Sequence, residues 1–117
     1  MSTQLSFAVF KAGAPARDMF RKLDLLDYLE SAQRWRSLRR MIVDFNDCDA
    51  GHFVALVREC DGVASSGERV LLHAICFATD FAWLADELTA GKAWQRMDRA
   101  SGDHLRAIAA CILAAEM

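Results

Sequence analysis

The chain has 117 residues, of which 54 % are apolar and 26 % charged, with 14 Lys and Arg set against 16 Asp and Glu for a formal net charge of −2. A chain of this length can bury one core without help from disulfides or metals, and the near-even charge balance argues against nucleic-acid binding over the whole surface. The longest apolar run, from Val70 to Leu88, is interrupted by His73, Asp80, Asp86 and Glu87, which argues against a membrane span.

The fold expected is all-α: a single helical domain over 1–117, built as a compact bundle of four to five helices around a central apolar helix at about 65–90. Residues 1–14 form an N-terminal arm. Within it Leu5, Phe7 and Val9 alternate with Ser6 and Ala8, a strand-like period that Gly13-Ala14-Pro15 closes. Two readings stay open: an ordered arm packing its aromatics on the helices, or a two-stranded ribbon with Met41–Phe45. Leu5–Phe10 is too short for a signal-peptide core and has no basic residue before it, so secretion is not the expectation.

From about Arg17 to Val43 the apolar residues Leu25, Leu29, Ala32, Trp35, Leu38 and Ile42 recur at three and four, one face of a helix. Acidic residues crowd its first half and arginines its second, as the helix dipole prefers. Asn46, Asp47 and Asp49 are N-cap candidates for a second helix, Ala50 to Cys60, which Asp61-Gly62 should stop. Ser65 and Glu68 stand at capping-box spacing and start the central helix, with Gly91 as its terminator. A short amphipathic helix is expected over 92–100 and a last one from Ser101, with Leu105, Ile108, Ala109, Ile112 and Ala115 on its buried stripe. Leu71, Ile75, Phe81, Leu105, Ile108 and Ile112 are the expected core.

On a continuous central helix, Arg69, His73, Cys76 and Asp80 share one face, because i, i+3 and i, i+4 side chains meet. A base, a thiol and a carboxylate on one wall could bind a soft metal or activate the thiol; packed as the polar side of a buried helix, they would do neither. Cys48 with Asp49 and His52 sits where a helix start is expected. The dipole there favours a thiolate, which makes Cys48 the candidate reactive thiol. Arg36, Arg39 and Arg40 belong to the only basic run and fall on one helical arc, though the same helix begins acidic and nucleic acid is not the expected partner. Asp103-His104 are adjacent on a helix and point about 100° apart, so they do not face each other.

The four cysteines at 48, 60, 76 and 111 include no CxxC pair and no zinc-finger spacing, so reduced thiols and a cytoplasmic setting are the expectation. No GxSxG, HExxH, P-loop or GxGxxG is present, and no cofactor or catalytic residue is implied. The leading expectation is a non-catalytic helical interaction or regulatory module that pairs with itself as a homodimer, or with another protein. A small-molecule or metal-binding protein, thiol-redox in character, is the alternative, using the Arg69/His73/Cys76/Asp80 face.

Overall fold

In the computed structural model, residues 3–89 and 107–111 are described, and every regular element among them is helical. The elements are α1 (Thr3–Ala12), α2 (Ala14–Lys22), α3 (Leu26–Ser31), α4 (Trp35–Cys48), α5 (His52–Val63), α6 (Ser66–Ala78) and α7 (Ala82–Thr89), with 107–111 helical as well. The all-α expectation stands, but the division is finer than four to five helices. The segment 17–43 is broken into three pieces and 65–90 into two. The strand readings fail: the arm is α1, and 41–45 lies inside α4.

One device makes three of these breaks. After α2, Asp24 takes φ 60, and after α6, Asp80 takes φ 79. After α4, Ala50 takes φ 51 and is followed by Gly51 at φ 77. In each case the next amide returns to the third residue from the helix end: Leu25 N–H to Phe20 O, Phe81 N–H to Cys76 O and Gly51 N–H to Asn46 O, all 2.8 Å. This is the Schellman closure, which usually places glycine at the left-handed position. Asp24, Ala50 and Asp80 do the job here at a cost of about 1–2 kcal/mol each. At two of the turns that cost is offset by burying the residue that follows, since Leu25 and Phe81 fold back into the core.

The core is one contiguous cluster running from Phe7 to Cys111. Helix α1 supplies Phe7 and Phe10, three apart and therefore on one face. Both rings pack on Trp35, at centroid distances of 5.2 and 4.8 Å, and Phe10 also meets Phe20 at 6.2 Å. Helix α6 is central: it packs against α2, α5 and α7, and Val70 through Cys76 are buried without a gap. Leu71, Ile75, Phe81 and Ile108 are in the core as expected, while Ala109 is exposed rather than part of the buried stripe. Leu105 and Ile112, together with the helix expected over 92–100, lie outside the described residues.

Candidate functional site

The break after α6 decides the fate of the expected polar wall. His73 and Cys76 share the last two turns of α6, but Asp80 stands past its end in the left-handed conformation and is exposed. The four residues therefore do not form one face. Cys76 is completely buried, and burial pushes its thiol well above the ordinary cysteine range, with the Asp61 carboxylate adding to the effect. A thiolate is the nucleophile and the metal ligand, and burial here outweighs what favours one.

His73 and Arg69 converge instead on a residue outside the expected set. Asp61, in the last turn of α5, has its carboxylate Oδ1 2.7 Å from His73 Nε2, and its backbone carbonyl accepts from Arg69 Nε at 2.9 Å. Both sides of the His73–Asp61 pair are largely shielded, with 6 % and 16 % of the side chains exposed. The contact ties the end of α5 to the middle of α6. It also explains why Asp61-Gly62, expected to stop the second helix, does not: α5 continues to Val63, since Asp61 is held from both of its acceptors. The sequence signal was present as an i, i+4 pair, Arg69 and His73, facing an aspartate across a short loop.

The Cys48 expectation is also corrected. Cys48 is the last residue of α4, not the first of the next helix, so the helix-start dipole argument does not apply to it. Its accessibility does hold: Cys48 is exposed, whereas Cys60, Cys76 and Cys111 are free but buried. Cys60 Sγ donates to Met19 Sδ at 3.7 Å, and burial raises the thiols of both Cys60 and Cys111. Asp49 Oδ2 pairs with His52 Nδ1 at 2.7 Å on the surface, and His52 also lies 5.4 Å from the Phe45 ring. Asn46, an expected N-cap, does cap α5, but from inside the preceding helix: its Oδ1 accepts from Val54 N–H at 3.1 Å.

The arginine run is divided by the fold. Arg39 turns inward, and its Nε donates to the carbonyl of Ala78 at 3.1 Å, tying α4 to the end of α6. Arg36 and Arg40 stay exposed and, with Arg34, line an open cleft at the α3–α4 junction. Asp103 and His104 lie outside the described residues.

Among the described residues, no three His, Cys, Asp or Glu side chains gather where they could hold a metal ion, and no helix is long and apolar enough to cross a membrane. Among the described residues, three large apolar side chains are exposed: Val9 at 47 %, Trp83 at 54 % and Val63 at 86 %. Trp83 sits in the first turn of α7, 6.4 Å from the Phe81 ring. One turn further on, Glu87 binds Arg58 of α5 at 2.5 Å. Compared with known proteins, the chain matches no family model, no curated protein and no solved structure.

Proposed function

We propose that this chain is a non-catalytic helical interaction module that acts as a homodimer in the reducing cytoplasm, with Trp83 as the anchor of the contact. The observation that carries the reading is a tryptophan more than half exposed on α7, one helical turn from the Arg58–Glu87 ion pair. Exposed tryptophan with a polar rim is the composition that interface centres favour. A two-fold contact sets a surface against its own copy. A patch that carries both a cation and an anion beside its apolar centre is complementary to itself, since Arg58 of each copy can face Glu87 of the other. The cysteines fit a reducing setting: all four are free, and three are buried.

Sedimentation velocity across micromolar concentrations tests this, comparing the parent with Trp83→Ala. The side chain is exposed, so the variant keeps the fold. The expected result is a dimer in the parent and a dissociation constant weaker by about thirtyfold in the variant, the effect of losing an interface anchor. A parent that stays monomeric, with a melting temperature independent of concentration, would remove the homodimer. A dimer unchanged by Trp83→Ala would move the contact elsewhere.

A further inference from the structure

We propose that the cleft between α3 and α4 is a binding site for a small phosphate monoester, independent of the self-association surface on α7. The cleft has a volume of about 370 Å³ and is lined by Arg34, Arg36 and Arg40 together with Ser31, Gln33 and Ser37. Among the described residues, no acidic one lines it. The three guanidiniums are exposed, and among the described residues none of them has an ion-pair or hydrogen-bond partner. The other cationic side chains nearby are already occupied. Arg39 donates to Ala78 O, Lys11 donates to the carbonyls of Glu30 and Ala32 at the end of α3, and Arg17 takes the carboxylate of Glu30 at 3.3 Å.

The cleft is thus positive and unrelieved. Arg36 and Arg40 stand four apart on α4, a spacing at which like charges repel. Their helix makes the same demand. Arg34 occupies the N-cap of α4 and makes no side-chain cap bond there, and the first turn contains no acidic residue. The first helical hydrogen bond is Leu38 N–H to Arg34 O at 3.2 Å, so the amides before Leu38 have no intrahelical acceptor. Guanidiniums present paired donors that match the oxygens of a phosphate, and the helix start adds backbone donors and a positive dipole end. The volume lies in the range of clefts that take small molecules, roughly 300–1,000 Å³. Ser31 and Gln33 offer uncharged hydrogen-bonding groups to whatever the phosphate is attached to.

The experiment is a heteronuclear NMR titration of the full chain with inorganic phosphate and with phenyl phosphate, against sodium chloride at matched ionic strength. Saturable shifts of the Arg36 and Ser37 amides are expected, with the ester binding more tightly than inorganic phosphate. The double variant Arg36→Gln/Arg40→Gln should weaken binding by at least about tenfold, while Arg21→Gln on α2 should leave it unchanged. The replaced residues are exposed, so both variants keep the fold. Shifts no greater than chloride produces would overturn the site, as would undiminished binding by the double variant. Inorganic phosphate binding as tightly as the ester would overturn the ester assignment. Binding of a short single-stranded oligonucleotide about tenfold tighter than phenyl phosphate, with a steep salt dependence, would make the patch a nucleic-acid surface and overturn the small-molecule site.

Discussion

Helices α4 and α6 are nearly equal in length, 14 and 13 residues, and they begin in opposite ways. Helix α6 closes its own start. Ser65 Oγ accepts from Glu68 N–H at 3.3 Å, the Glu68 carboxylate accepts from Ser65 N–H at 3.0 Å, and the same carboxylate pairs with Lys22 of α2. Helix α4 starts on Arg34 with no cap, yet it is anchored by Trp35, buried between Phe7 and Phe10 immediately beside the open end. One helix start is closed by its own cap, and the other is held in place by packing without a side-chain cap from its N-cap residue. The lesson is that packing can fix a helix where local capping does not.

The largest expected effect tests whether packing does hold α4. Trp35→Ala should cost about 3–5 kcal/mol, the range for emptying a buried aromatic site, measured by denaturant unfolding. A loss below about 1 kcal/mol would mean that α4 is not fixed by the Phe7–Trp35–Phe10 cluster. Next comes the tie at the middle of α6. His73→Ala leaves Asp61 shielded and short of a donor, and should cost about 1–3 kcal/mol; Asp61→Asn, which keeps an acceptor for His73, should cost less. If the two variants are equal, the His73 contact is not what stabilises the α5–α6 junction.

The two starts should respond with opposite signs. Ser65→Ala removes half of a capping box and should cost about 1 kcal/mol, whereas Arg34→Asp supplies a missing cap and should gain up to about 1 kcal/mol. A loss from both would show that α4 is already capped. The smallest effect is in pH. Lys22 and, secondarily, Ser65 hold the Glu68 carboxyl down from 4.5 to about 2. A depressed folded value means that the carboxylate contributes stability above about pH 4.5 and loses it as pH falls from there through about 2. Thermal melts between pH 5 and pH 2 should therefore show a shallower acid decline in Glu68→Gln than in the parent. Parallel declines would put the acid sensitivity elsewhere.

How much of this was legible in the sequence varies by element, for physical reasons. The capping box at Ser65–Glu68 was read correctly because both partners lie within four residues and the chemistry is local. The buried stripe through Leu29, Trp35, Leu38 and Ile42 was also correct, even though α3 and α4 divide it, because burial follows apolar spacing whether or not the helix is continuous. The breaks at Asp24 and Asp80 were not legible. A helix end is usually marked by glycine, and here aspartate takes the left-handed position because Leu25 and Phe81 gain a place in the core. The polar wall failed with that break: once α6 ends at Ala78, Asp80 cannot share a face with His73.

The sequence by itself therefore determined the helical class, the apolar residues that would be buried and the start of α6, since each of these depends on period or on groups a few residues apart. Only the tertiary structure decided where the apolar segments 17–43 and 65–90 break after α2 and α6, because the left-handed turns at Asp24 and Asp80 are offset by the core taking in Leu25 and Phe81. It alone gave His73 its partner in Asp61, twelve positions away and on another helix. It alone turned Arg39 inward onto Ala78 while leaving Arg34, Arg36 and Arg40 around an open cleft. Four arginines close together in sequence have the same chemistry; which of them is spent on the fold depends on what lies opposite, and that is set by packing between helices distant in the chain.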